Sequence, residues 1–177
     1  MISDWNNLSL ARNGDQKAFS DIHKKYNKSL IKMTSLITGS LDSAKDIVQE
    51  TFIRLLNSSI KHQEGNFKSY ITTIAYRLAL KEKSRSKRSG ILNDNLIDNS
   101  LTPIEIQINE ENQLKLFQAI TSLPKDQRDI LVLRFYGENS YETISKITQL
   151  PLGTVKSRIF YAVKACREKL KEMGVIE

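Results

Sequence analysis

The chain has 177 residues, 40% of them hydrophobic, with only 7 glycines and 3 prolines, which suits one or two small, helix-rich domains with real cores. Its 27 Lys and Arg against 20 Asp and Glu give a net charge of +7, a balance that fits an acidic polymer or an anionic membrane surface. No apolar run approaches the roughly 20 residues that span a bilayer. The N-terminal segment has neither the basic start nor the long apolar core of a signal peptide. One cysteine, Cys166, and two distant histidines, His23 and His62, build neither a disulfide nor a zinc site. The expected setting is a reducing cytoplasm.

The first periodic segment runs from residue 15 to about 38. Phe19, Ile22, Tyr26, Leu30, Met33 and Ile37 recur at helical spacing, and Gly39 supplies a left-handed stop. A second helix is expected from about Asp42 to Asn57, burying Ala44, Ile47, Val48, Phe52, Leu55 and Leu56. It also carries Asp42, Asp46 and Glu50 one turn apart on one stripe, with Gln49 adding an amide. Three carboxylates on one helix hold a hard cation only with oxygen ligands from a second segment, and none is evident. A docking surface for a basic partner fits the pattern, with a plain solvated face as the alternative.

Residues 58–66 are polar, include Gly65 and read as a loop. A third helix, from about Phe67 to Arg85, turns Phe67, Ile71, Ile74, Ala75 and Leu78 inward. Tyr76 and Arg77 lie opposite that stripe, with Tyr70 at its edge. The end of the helix carries Lys81, Lys83, Arg85, Lys87 and Arg88. Rings interleaved with cations suit single-stranded bases, which need a face to stack on and a charge for the backbone. The alternative is an ordinary helix with a half-exposed tyrosine.

Composition then shifts. From Ser89 to Leu114 there is no Lys or Arg, while Asp94, Asp98, Glu105, Glu110 and Glu111 make the stretch acidic. Residues 89–103 read as a tether. A helix is expected from near Ile104 to Ile120. Another is opened by Pro124, has Ile130, Leu131, Leu133 and Phe135 on its core side, and is closed by Gly137. Its Arg128 and Arg134 are placed to grip phosphates without reading sequence, or to form surface ion pairs.

The stretch SYETISKITQLPLGTVKSR, residues 140–158, reads as two short helices with a tight turn. Pro151 cannot continue the first and sets up the second. Thr154 can accept a backbone N–H at the second N-terminus. Beyond it, Val155, Ile159, Ala162, Val163, Cys166 and Leu170 fall on one face. Ser157, Phe160, Tyr161 and Lys164 fall on the other, with Lys156 and Arg158 at the flanks. Two aromatics opposite an apolar stripe suit a helix in a DNA groove, where cations meet phosphates while hydroxyls and rings meet base edges. A solvated basic surface helix is the alternative.

Five segments together resemble the sigma-70 family of RNA polymerase sigma factors, specifically its small extracytoplasmic-function (ECF) group. They are GDQKAF at 14–19, DIVQETF at 46–52, FKSYITTIAYRLAL at 67–80, SLPKDQRDILVLR at 122–134, and the 140–158 stretch, in the family's order and spacing. The resemblance covers nearly the whole chain. It implies an all-α chain of two small helical domains joined by a flexible linker, the second a helix-turn-helix domain. The first domain would be residues 1–88, the linker 89–103 and the second domain 104–177. It implies no catalysis, cofactor, metal or membrane insertion, and a cytoplasmic protein that joins the nucleoid when bound to polymerase.

The resemblance also implies roles. Asp46, Gln49 and Glu50 match the helix that binds the coiled coil of the polymerase β′ subunit. Gln63, Glu64 and Asn66 lie in the loop that captures a flipped base of the −10 element. Tyr70, Tyr76, Arg77 and Lys81 lie where the melted strand is contacted. Arg134, Thr154, Lys156, Ser157, Arg158, Phe160, Tyr161 and Lys164 match the surface that reads the −35 element in duplex promoter DNA. Many relatives are held inactive by an anti-sigma factor. Tyr70 stands where the group usually has Trp, Arg77 where it often has Asn, and Thr148 where it usually has Leu. Gln149 replaces a common Gly, so the helix-turn-helix turn is expected to differ in shape. Two other readings remain open on the residues: a sigma mimic that titrates an anti-sigma regulator without initiating transcription, and a nucleic-acid enzyme using Asp42, Asp46 and Glu50.

Overall fold

The computed structural model of the chain describes residues 3–58, 65–88 and 111–177. Among the described residues are eight helices and no strand. The loop positions Gln63 and Glu64, the tether at 89–103 and the expected helix start near Ile104 lie outside them.

Helix α1 (Asp4–Arg12) was not anticipated from the sequence. Ser3 caps it by accepting the Asn6 N–H, but only Trp5 and Leu8 are buried, so its own pattern is weak. Tertiary contacts hold it. The Trp5 indole meets Phe67 edge-on at 5.0 Å and Tyr70 at 5.3 Å, and its N–H donates to the Gly65 carbonyl at 3.0 Å. At the other end, the Arg12 guanidinium donates to the Leu55 carbonyl at 2.9 Å. That carbonyl belongs to the last turn of α3 (Leu41–Asn57), where such oxygens lack helical partners.

Helix α2 (Gln16–Thr38) starts at Asp15, whose carboxylate accepts the Lys17 and Ala18 N–H groups. It stops at Gly39, which sits at φ 77 and donates to the Ser35 carbonyl. A side chain would be strained in that left-handed conformation. Ser40 caps α3, and Asn66 caps α4 (Phe67–Arg88) by accepting the Lys68 and Ser69 N–H groups. Helices α2, α3 and α4 pack on one another, with α1 laid across α2 and α3.

The second group is α5 (Glu111–Thr121), α6 (Lys125–Phe135), α7 (Tyr141–Thr148) and α8 (Leu152–Glu172). Helix α8 touches each of the other three. Two expected core assignments change here. Phe135 is 57% exposed and Val163 is also exposed. Both line an open apolar groove of about 530 Å³ with Leu116, Leu131, Leu170 and Ile176. Gly137 lies just past the end of α6, as expected, and the positive φ there, 51°, belongs to Glu138. What Gly137 provides is close approach. A Cβ there would stand 2.6 Å from the Leu133 carbonyl and 3.3 Å from the Thr72 hydroxyl of α4.

The two groups are not separate bodies in this structure, because their buried residues form one hydrophobic cluster. Helix α2 packs against α5 and α6 as well as its own neighbours. Its last six residues, Met33 through Thr38, are all buried, which an amphipathic surface helix does not allow. Around that contact, Lys68 pairs with Glu138 at 2.6 Å and the Ser69 hydroxyl donates to the Asn139 side chain. Asp129 of α6 is 5% exposed. Burial raises its pKa, while the nearby Arg128, Lys125 and Lys83 charges oppose that rise.

Trp5→Ala removes the anchor of α1 and should cost about 3 kcal/mol in equilibrium denaturation followed by circular dichroism. A loss well below about 1 kcal/mol would mean that α1 is not docked. A second expectation concerns pH. The folded chain holds the Asp129 proton more tightly than the unfolded chain does. Its contribution to stability is therefore complete below the ordinary carboxylate value of about 4 and is lost as pH rises through the raised folded value. The melting temperature of Asp129→Asn should climb relative to the unsubstituted chain from about pH 4 upward; a constant difference would contradict this.

Candidate nucleic-acid interface

The helix-turn-helix is built from short-range bonds. Ser140 caps α7 by accepting the Thr143 N–H at 3.1 Å. The connection turns at Gln149, which takes φ 58 and ψ 28. The turn therefore keeps the left-handed geometry that glycine usually supplies, contrary to the expectation of a different shape, and the chain bears the strain of a side chain there. The Ser145 hydroxyl braces the turn by donating to the Leu150 carbonyl at 2.6 Å. Thr148 is half-buried and its hydroxyl donates back to the Ile144 carbonyl.

Helix α8 begins at Leu152 after Pro151, with no side-chain cap. Thr154 is thus already inside the first turn, and the expected capping role falls away because the helix starts two residues earlier. Val155, Ile159, Ala162 and Cys166 form the buried stripe, and burial raises the Cys166 thiol pKa. On the outer side Lys156, Ser157, Phe160, Tyr161 and Lys164 are exposed. Phe160 is 65% and Tyr161 57% exposed, and their rings meet edge-on at 5.5 Å. Two large rings exposed beside two lysines leave apolar area unburied.

The two arginines assigned to this surface, Arg134 and Arg158, are partly committed. Arg158 pairs with Asp126 of α6 at 3.1 Å. Arg134 donates to the Asn139 carbonyl at 2.8 Å and lies 5.0 Å above the Tyr141 ring. Arg134 therefore ties α6 to the start of α7 before any phosphate is offered to it. No sequence signal gave the Arg158–Asp126 pair, since the two residues meet only through tertiary packing.

Helix α4 places its residues unequally. Arg77 and Lys81 are exposed one turn apart, and Asn66 is exposed at the helix start. Tyr70 is half-buried, braced on Trp5, with its hydroxyl 3.4 Å from the Ser58 hydroxyl. Trp5 is thus a supporting residue that sequence reading missed; its only signal was the Trp5–Leu8 spacing. Tyr76 departs from the expectation of an outward ring. It is 5% exposed, because α6 covers that side of α4. Burial first, then the Asp129 and Asp126 charges, raise the pKa of its phenol.

On α3, Asp46 and Gln49 are exposed, and Glu50 is shared with Arg54 at 2.7 Å. Asp42 lies 3.8 Å from Lys45. The stripe is therefore partly neutralised at both ends and barest at Asp46. Among the described residues no helix is long and apolar enough to cross a membrane, and no group of three or more His, Cys, Asp or Glu is arranged to hold a metal ion.

Comparison with known proteins agrees with this geometry. Residues 22–89 match Sigma-70 region 2 and residues 113–166 match Sigma-70, region 4. The chain is 27% identical to the ECF RNA polymerase sigma factor SigW of Bacillus subtilis over 94% of this chain and 96% of that protein. Its fold is similar to that of CnrH in complex with the cytosolic domain of CnrY, with a TM-score of 0.64 and 16% identity over 96% of this chain and 97% of that one. It is also similar to the sigma factor RpoE in complex with the anti-sigma factor NepR from Bartonella quintana, with a TM-score of 0.64 and 22% identity over 85% and 97% of the two chains. With both conserved regions present in order and a full-length ECF relative, the chain belongs to the sigma-70 family, in its extracytoplasmic-function group.

Proposed function

We infer that the chain is a sigma factor that binds core RNA polymerase and directs promoter-specific transcription initiation. The observation that carries this reading is the outer face of α8, where Phe160 and Tyr161 stand open to solvent between Lys156 and Lys164. In this reading residues 104–177 read the −35 element in the major groove. Lys156 and Lys164 meet phosphates, and Ser157, Phe160 and Tyr161 reach base edges and thymine methyls. Arg158 joins them on leaving Asp126, and Arg134 and Thr154 hold the surface in register.

Residues 1–88 bind the β′ coiled coil through Asp46, Gln49 and Glu50. Asp46 contributes most, because Glu50 already shares its charge with Arg54. The same domain traps bases of the −10 element with Gln63, Glu64, Asn66, Tyr70, Arg77 and Lys81, while Tyr76, which is buried beside Asp129, is left out of that set. Extruding a base costs a few kcal/mol, which stacking on protein rings repays. Two weak readers on one tether act at high effective concentration, so both elements at a set spacing are needed. The chain acts in the cytoplasm, performs no catalysis of its own, and is a target for an anti-sigma factor, as in the similar RpoE–NepR complex.

Transcription with core polymerase and mapped start sites tests the reading. Lys156→Ala should lower promoter output about tenfold, the equivalent of one good contact, and leave polymerase affinity intact. Asp46→Lys should weaken polymerase binding without unfolding the chain. Wild-type output from Lys156→Ala would refute the α8 assignment. Unchanged polymerase affinity in Asp46→Lys would refute the docking surface and favour a mimic.

A further inference from the structure

Helix α1 holds no residue given to a partner, yet its side chains reach the described residues on both sides of Gln63 and Glu64. On the outgoing side, the buried Trp5 indole donates its N–H to the Gly65 carbonyl at 3.0 Å. Gly65 sits at φ 149, a conformation that a side chain rarely adopts. The next residue, Asn66, caps α4. On the incoming side, the Arg12 guanidinium donates to the Leu55 carbonyl at 2.9 Å and to the Ser58 hydroxyl. The Tyr70 hydroxyl reaches that same Ser58 hydroxyl at 3.4 Å, and the Trp5 ring lies 5.3 Å from the Tyr70 ring. Tyr70 is thus held through both ends of one short helix.

Helix α1 is itself well anchored. Asp4 accepts the Tyr26 hydroxyl at 2.6 Å and pairs with Lys25 at 2.8 Å, both on α2. Leu8 is buried, and Trp5 packs edge-on against Phe67, the first residue of α4. Through these contacts α1 connects α2, the end of α3 and the start of α4. Fixing both ends of a connection lowers the number of conformations it can adopt, which sharpens recognition by whatever it carries. A group that reads one base by its edge tolerates only about 0.5 Å of misplacement. A phenylalanine at position 5 would fill the same apolar space. Only the indole N–H reaches the Gly65 carbonyl.

We propose that α1 is a brace for base capture, with Trp5 and Arg12 as positioning residues: together they fix the entry and exit of the capturing segment and the direction of Tyr70, and so set how strictly the trapped −10 base is discriminated. Neither residue touches DNA. The proposal rests on the assignment of Asn66 and Tyr70 to the melted −10 strand.

Binding of the holoenzyme to single-stranded oligonucleotides tests this. One carries the −10 strand of a promoter with a mapped start site, and the others carry one substituted base each. The readout is the ratio of affinities for the native and the substituted strand. Trp5→Phe keeps a ring against Phe67 and Tyr70 but loses the N–H, and should lower the largest ratio about fivefold, the worth of one hydrogen bond. Arg12→Met leaves Trp5 in place and should lower the ratio in the same direction; it decides the matter if Trp5→Phe does not fold. Polymerase affinity should be unchanged in both, since neither residue belongs to the carboxylate stripe of α3. Residues that merely stabilise the fold would weaken binding to every strand alike and leave the ratio as it was. That result, in folded variants, overturns the proposal. No base preference in the unsubstituted holoenzyme would refute the −10 assignment and the proposal with it, whereas a clear preference that both variants retain refutes the proposal alone.

Discussion

The C-terminal end of α2, Met33 through Thr38, is surrounded on every side, and both helix groups are organised around it. Three of those six residues are polar, and an all-round burial of Thr34, Ser35 and Thr38 would ordinarily be costly. Each hydroxyl instead donates back along its own helix, Thr34 to the Leu30 carbonyl, Ser35 to that of Lys32 and Thr38 to that of Thr34. The helix can therefore enter a core without a solvent face. Lys83 of α4 donates to the Ile37 carbonyl at the same end, so the helix terminus is satisfied as it is covered.

That central contact decides which surfaces are left for partners. Helix α8 spends its apolar stripe on α5, α6 and α7 and shows water the rings and lysines of its other side. Helix α3 packs on α2 and α4 and shows Asp46 and Gln49. The positive surface and the carboxylate stripe are thus on different helices of different groups, so that in the proposed reading neither partner has to displace the other. Helix α4 is the exception. Its cations Arg77 and Lys81 are outside, while Tyr76 is inside because the helix serves as an edge of the central contact.

Much of this could be read in the residues. The long helices α2, α3 and α8 announced themselves by sustained periodicity, and the stop at Gly39 fell where its chemistry placed it. The outward set Ser157, Phe160, Tyr161 and Lys164 followed from helical phase alone. What could not be read depended on contacts between distant segments. Helix α1 has only two buried residues and is fixed by Phe67, Tyr70 and Gly65. Phe135 and Val163 sit at core phase but face a groove that no neighbour fills among the described residues. Tyr76 sits at surface phase but meets α6. Phase along one helix says which side a residue is on, and the neighbouring segments decide whether that side is covered. At Gln149 a local rule was set aside: the left-handed turn persists without glycine, held by the Ser145 bond to Leu150.

The most direct test of the central claim, that the outer side of α8 lies against duplex promoter DNA, is site-specific photocross-linking in the assembled polymerase–promoter complex. A photoreactive side chain at position 160 should cross-link to duplex upstream of the melted region, and the same group at the buried position 159 should not. Equal cross-linking from both positions, or none from position 160 in a complex that initiates, would contradict it.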